Sequence, residues 1–100
     1  MSADVTVACE SWGEGFECRV RVGDDPGATS HVVSLGAATL ARLAPAGTLP
    51  DDLVRASFDF LLEREPREAI LRSFELPVIE RYFPGYEAGM RARLASPPCG

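Results

Sequence analysis

The stretch LVRASFDFLLEREPREAILRSFELPVIERYFPGY, from Leu53 to Tyr86, holds four of the five phenylalanines and both tyrosines of the 100-residue chain. In its first part, apolar residues recur at the spacing of one helix face, at Val54, Phe58, Leu61 and Leu62. Pro66 and Pro77 divide the stretch, because a proline can open a helix but interrupts its interior. We therefore predict a main helix over about 50–64, a second helix after Pro66 and a short third helix after Pro77.

Before this stretch, residues 4–35 alternate apolar and polar side chains with the period of two that is typical of half-buried strands. A glycine-rich turn at 12–15 separates the first two strands and predicts a hairpin in which Cys9 faces Cys18 on the apolar side. After a second glycine-rich turn, a third strand runs over about 29–35. Because the strands precede the helices, the predicted fold is α+β: a three-stranded antiparallel β-meander (about 4–35) followed by three to four short helices packed on one face of the sheet.

The length of the chain indicates one small domain. One hundred residues are enough to bury a single hydrophobic core without metals or disulfides. We assign residues 1–95 to that domain, with residues 87–95 as a helical tail. Residues 96–100 contain two prolines and a glycine, and we expect them to be a disordered tail.

Charge and hydropathy exclude several classes of protein. The net charge is −5, which argues against general binding of nucleic acid, because phosphate backbones attract basic surfaces. No apolar run approaches the roughly 20 residues of a membrane span. The N-terminus lacks the basic and apolar regions of a signal peptide, so we expect a cytoplasmic protein whose cysteines are reduced.

Cys9 and Cys18 are the first candidates for chemistry, because the predicted hairpin sets them directly opposite each other. They form a candidate redox pair, and the competing interpretation is that both are small buried apolar residues. The third cysteine, Cys99, lies in the predicted tail without an identifiable partner. The spacing of the three cysteines and His31 matches no pattern of metal ligands, so we predict no metal site.

The sequence offers no catalytic motif. His31 is the only histidine, and nothing in the sequence places a nucleophile and an orienting carboxylate beside it. We expect His31 to be an edge or rim residue of its strand. No phosphate-binding loop and no acid–base pair are recognisable, so we expect a protein that is not an enzyme and that has no catalytic residue and no cofactor.

Residues 66–83 resemble a helix-turn-helix unit, with a small residue, Ala69, before the supposed turn and Ile79 after it. The supposed recognition helix offers only Arg81, which Glu80 balances, and the whole domain is acidic. The competing interpretation is that this segment packs as ordinary core helices.

Five side chains are candidate partner contacts: Trp12, Arg64, Arg67, Tyr82 and Tyr86. Trp12 lies in the hairpin turn, where it either meets a partner or folds over the end of the sheet. Arg64 and Arg67 lie in a mixed-charge junction, where they either grip a partner carboxylate or form local ion pairs. The two tyrosines flank Pro84 and Gly85 and either line a pocket or cap the core.

The segment SFDFLLEREPREAILRSFELPVIERYFPGYE, from Ser57 to Glu87, resembles the signature of a family of small bacterial proteins common in actinobacteria. The likeness is strongest over residues 48–86. The family has no assigned activity, so the resemblance implies one cytoplasmic domain of about this length and carries over no site residue.

These observations favour a small non-enzymatic cytoplasmic protein-interaction module that pairs with itself as a homodimer or with another protein. A three-stranded sheet supports this prediction, because its edges must be covered or paired. One alternative is a DNA-binding regulator that uses residues 66–83. The other is a small-molecule-binding domain at the seam between helices and sheet, with His31 or the Tyr82 and Tyr86 pair as polar groups.

Overall fold

The computed structural model describes residues 4–95 of the chain, so the predicted tail at 96–100 lies outside the described residues. The strands are β1 (Val5–Trp12), β2 (Gly15–Val22), β3 (Thr29–Gly36) and β4 (Ser73–Glu75). The helices are α1 (Ala37–Leu43), α2 (Pro50–Leu62), α3 (Val78–Tyr82) and α4 (Tyr86–Ala95). The predicted α+β fold, with three antiparallel strands followed by short helices, is confirmed, and β4 is an addition to it.

The predicted register of the hairpin is confirmed. Cys9 pairs with Cys18, and the ladder extends to Trp12 and Gly15, so the turn contains only two residues. Gly13 has a φ of +59°, which a glycine adopts without steric cost and which suits the turns that favour the natural twist of two strands. The third strand pairs antiparallel with β2 in the same sheet.

Helix α2 covers one face of the sheet and supplies the centre of the core. It ends at Leu62 rather than at Arg64, and seven of its residues are buried: Leu53, Val54, Ala56, Ser57, Phe58, Phe60 and Leu61. The sheet contributes the apolar residues of alternate positions, such as Val20, Val22 and Val33. Each large apolar side chain that is fully buried stabilises the fold by roughly 1.5–3 kcal/mol, so this layer is the main source of stability.

Helix α4 occupies the segment that the sequence predicts as a helical tail, and it is part of the core. Tyr86 and Met90 are both fully buried. Gly89 lets the helix approach α2 closely, because a Cβ at this position would lie 3.1 Å from the Phe60 ring. The tail is therefore a packed helix that completes the core.

The helix-turn-helix prediction for residues 66–83 is wrong, and so is the second helix after Pro66. The segment forms a 3-10 turn at Arg67–Ala69, then the strand β4, and then the five-residue helix α3. The chain leaves the turn at Ile70 in an extended conformation, with ψ at 134°. Pairing with β3 holds it there, because the Val32 N–H donates to the carbonyl oxygen of Arg72 at 2.8 Å. Hydrogen bonds to the sheet thus prevail over local helix propensity.

Candidate functional site

The outer edge of β4 is an open backbone edge. Within residues 4–95 the strand order is β1-β2-β3-β4, so the sheet ends at β4. The Leu76 N–H donates to the carbonyl oxygen of Ser34 at 2.8 Å, and the Arg72 carbonyl oxygen accepts from β3 as well. In a parallel ladder every second residue directs both backbone groups to the neighbouring strand. The N–H and C=O groups of Ser73 and Glu75 therefore point away from β3.

An apolar groove of about 390 Å³ lies beside this edge, and we call it the β4 groove. Phe74 forms part of its floor, and its ring also faces the Phe58 ring at 6.2 Å between centroids, which places the groove on the helix side of the sheet. Glu65 is the one charged residue among the ten that line it. The others are Leu61, Ala69, Ile70, Leu71, Phe74, Val78, Ile79, Tyr82 and Phe83.

Two large apolar side chains of the β4 groove are exposed to solvent. Leu71 is 52% exposed and Tyr82 is 69% exposed. Single exposed apolar residues are ordinary on protein surfaces, but here they border a concave apolar surface next to an open strand edge. The combination is typical of a surface that a partner covers.

Salt bridges connect the segments on both sides of the β4 groove to other parts of the fold. Arg42 in α1 donates to Glu80 in α3 and to Glu87 in α4, so it links the short helix α3 to both of its neighbours. On the other side, Arg67 donates two hydrogen bonds of 3.0 Å each to the carboxylate of Asp25. These hydrogen bonds hold the pKa of the Asp25 carboxyl below its usual value.

His31 joins β3 to the segment that leads into β4, and it is buried in the core rather than at the rim. Its Nδ1 donates to the carbonyl oxygen of Leu71 at 2.7 Å, and its Nε2 lies 2.9 Å from the hydroxyl of Thr29. The prediction of an edge histidine is therefore wrong. Burial is the main cause that lowers the pKa of His31, and the Leu71 carbonyl acts in the opposite direction.

Arg64 and Arg67, two of the predicted partner contacts, have partners within the chain. Arg67 is engaged by Asp25, and Gly23 and Gly27 leave the room for its guanidinium group. Arg64 lies over the Phe60 ring at 3.7 Å from the ring centroid and donates to the Phe60 carbonyl oxygen at 3.0 Å. Both arginines therefore contribute to the fold. These contacts favour the interpretation of the mixed-charge junction in which its arginines bind partners within the chain.

Tyr82 and Tyr86 do not form one cluster. Tyr82 is exposed on the β4 groove, whereas Tyr86 is fully buried and its hydroxyl lies 2.6 Å from Ser57 Oγ. Ser57 Oγ donates to the carbonyl oxygen of Leu53, so it accepts from the tyrosine. Burial raises the pKa of Tyr86. Tyr86 therefore has a structural position, and Tyr82 is the predicted contact that lies on the groove.

Trp12 is 68% exposed at the end of β1, so its side chain is accessible to a partner. It lines another cleft, of about 460 Å³, at the end of the sheet, together with Phe16, Glu75 and Pro77. This cleft touches the far end of β4. The exposed tryptophan therefore lies on the edge strand opposite β4 and is not part of the β4 groove.

Cys9 and Cys18 are joined by a disulfide, so the expectation of two reduced thiols is wrong for this pair. Their Cα atoms lie 3.9 Å apart, a separation close to that of pairs that exchange no backbone hydrogen bonds. The Cys9 N–H therefore points away from β2, and it donates to Asp51 Oδ2 at the start of α2 at 3.2 Å. The disulfide cross-links the two strands of the hairpin beneath α2.

Two features are absent from the part of the chain that the structure describes: a cluster of metal ligands and a membrane-spanning helix. Between residues 4 and 95, no group of three or more His, Cys, Asp or Glu side chains is placed to hold a metal ion. In the same range, every helix falls short of the length and apolar character that a membrane crossing requires. Comparison of the chain with protein-family models, with curated proteins and with solved structures gives no match.

Sequence reasoning missed the β4 groove because it assigned Phe74 to a helix. The signal that could have located the strand is the polar–apolar–polar alternation of Ser73, Phe74 and Glu75 between two turns. Three residues are too few for a reliable period, and the pairing depends on β3, which lies about forty positions earlier.

Proposed function

We propose that the protein is a non-enzymatic protein-interaction module and that a partner docks on the β4 groove and the β4 edge. The observation that carries the proposal is the coincidence of an apolar groove, two exposed apolar side chains and outward-facing backbone groups at one place. An extended partner segment can add to an open strand edge with backbone hydrogen bonds, while its alternate side chains enter the adjacent groove.

A peptide selection tests the proposal. The protein is immobilised at low density, so that copies do not meet, and is offered a phage-displayed library of random peptides. We expect the enriched peptides to lose binding to Tyr82→Glu, which places a charge at the groove, and to keep binding to Leu49→Glu. Leu49 is 60% exposed and lies outside the groove, so it is a matched control.

Two results would contradict the proposal. One is that the library yields no enriched peptide. The other is that the enriched peptides bind Tyr82→Glu as well as they bind the wild type, because the groove would then not be their site.

A small apolar molecule is the second candidate ligand for the same groove. The volume of about 390 Å³ favours it, because pockets for small molecules span roughly 300–1,000 Å³. A thermal-shift screen of small apolar compounds tests this candidate, since a ligand that binds only the folded state raises Tm. We expect a true groove ligand to stabilise the wild type and Leu49→Glu but not Tyr82→Glu, and no stabilising compound would count against this candidate.

A further inference from the structure

We propose that the partner of the β4 edge is a second copy of this chain, paired antiparallel with it along β4 across a two-fold axis. This inference rests on the proposed function, because it names the partner for the same surface. It follows from three features of the described residues: the direction of the backbone groups, the side chains that the pairing brings together, and the state of the opposite edge of the sheet.

The backbone of β4 is suited to pairing with itself. The N–H and C=O groups of Ser73 and Glu75 face outward, with Phe74 between them. When Phe74 lies opposite the partner's Phe74, Ser73 lies opposite the partner's Glu75, and each of these two symmetric pairs exchanges both of its backbone hydrogen bonds. Four hydrogen bonds then join the two strands, and the two sheets become one continuous sheet.

The side chains agree with this register. On the open face of the sheet, the Ser73 hydroxyl meets the partner's Glu75 carboxylate and can donate to it, and no two like charges lie directly opposite. On the other face, the two Phe74 side chains become neighbours, because directly opposed residues of this kind have Cα atoms about 4.5 Å apart. The two β4 grooves then adjoin, and the exposed Leu71 and Tyr82 of both copies border one shared apolar surface.

The other edge of the sheet is less suited to a partner. On β1 the outward N–H of Cys9 already donates to the carboxylate of Asp51. An incoming strand would have to displace this side chain, and covering an edge in this way is a common protection against strand pairing. The cleft at Trp12 reaches only the last residue of β1, whereas the β4 groove includes Phe74 of β4 itself. The three-residue strand β4 offers few backbone hydrogen bonds, and burial of the apolar groove beside it adds to their contribution.

Analytical ultracentrifugation of matched variants tests the proposal. Ser73→Pro removes an outward N–H that the fold does not use, whereas Ser73→Ala keeps it. Both variants lack the Ser73 hydroxyl, so the comparison between them isolates the backbone N–H. We expect Ser73→Pro to dimerise at least about tenfold more weakly than Ser73→Ala, because two intermolecular backbone hydrogen bonds are lost, and the wild type to dimerise at least as tightly as Ser73→Ala. Circular dichroism confirms that each variant is folded.

Tyr82→Glu provides a second test that does not depend on the strand backbone. The side chain is 69% exposed, so the folded monomer tolerates the change, and a dimer would bring two new carboxylates to one apolar surface. We expect this variant to be monomeric where the wild type and Leu49→Glu are dimeric. If Ser73→Pro fails to fold, the comparison of Tyr82→Glu with Leu49→Glu still shows whether the dimer interface lies at the β4 groove.

Two outcomes would overturn the inference. A wild type that remains monomeric up to about 1 mM excludes a self-partner of any useful affinity. A dimer that persists in both Ser73→Pro and Tyr82→Glu lies elsewhere on the molecule. Neither outcome refutes the proposed function. The peptide selection tests that function separately, because it uses immobilised copies that do not meet each other.

Discussion

Gly15 and Gly36 face each other across β2 and β3, yet they differ in what surrounds them. A Cβ at Gly15 would meet the carbonyl oxygen of Leu35 and lie 2.8 Å from the Cα of Gly36, and both of these atoms belong to the backbone. A Cβ at Gly36 would have nothing within 4 Å. The close approach of the two strands therefore requires glycine on one side only.

We expect Gly15→Ala to lower the free energy of unfolding by about 1–3 kcal/mol, because the backbone of β3 must move to admit the methyl group. Gly36→Ala is the matched control, and we expect it to change that free energy by less than about 0.5 kcal/mol. Urea unfolding followed by circular dichroism measures both. Equal effects at the two positions would contradict the described pairing of β2 with β3.

Ser57 and Tyr86 form a buried hydrogen-bonded pair between α2 and α4. Removal of the tyrosine hydroxyl leaves Ser57 with its bond to Leu53, so Tyr86→Phe should cost only about 0.5–1.5 kcal/mol. Ser57→Ala leaves the tyrosine hydroxyl buried without this partner and should cost about 1–3 kcal/mol. Urea unfolding measures the loss in free energy of unfolding for both variants. A larger loss for Tyr86→Phe than for Ser57→Ala would contradict the described contact.

At the scale of elements, β4 depends on its attachment to β3, and His31 is part of that attachment. The imidazole bonds to the carbonyl oxygen of Leu71, two residues before β4 begins. Burial holds the pKa of His31 below its usual value of 6.5. Below that pH the unfolded chain binds a proton more readily than the folded chain, so the stability that is present above pH 6.5 is lost as the pH falls.

We therefore expect the free energy of unfolding to decrease from pH 7 to pH 5, a window in which carboxyl groups contribute little because their pKa values lie lower. His31→Gln removes the only histidine of the chain, and its stability should be nearly independent of pH over the same window. Urea unfolding at a series of pH values measures both proteins. A wild-type stability that is flat or rises toward pH 5 would contradict the described burial.

The elements differ in how far the sequence alone could predict them. The strands β1 to β3 and the helix α2 follow from local periodicity, because one face of each is buried. The register of the hairpin follows from the same pattern, since it sets apolar residues opposite each other, such as Val7 and Val20. The strand β4 could not be read in this way. Its conformation comes from hydrogen bonds to β3, and Leu76 is also pushed toward an extended conformation by the proline that follows it. The groove depends on that strand and was missed with it.

At the scale of the whole molecule, charge opposes self-association. Each copy has a net charge of −5, so two copies repel each other over distances of about one Debye length, which is about 10 Å at 0.1 M salt. The proposed contact at β4 is mainly apolar and backbone in character. We therefore expect dimerisation to strengthen as sodium chloride is raised from about 20 to 200 mM. Sedimentation at the two salt concentrations measures this, and weaker association at high salt would point to an interface held by ion pairs.

The pairing of β4 with a second copy is tested most directly by amide hydrogen exchange, followed residue by residue with NMR at a low and at a high protein concentration. The Leu76 amide, which bonds within the chain, should be protected at both concentrations. We expect the outward amides of Ser73 and Glu75 to exchange rapidly in the dilute sample and to become protected in the concentrated one. Rapid exchange of both amides at the high concentration, with Leu76 still protected, would contradict the proposed pairing.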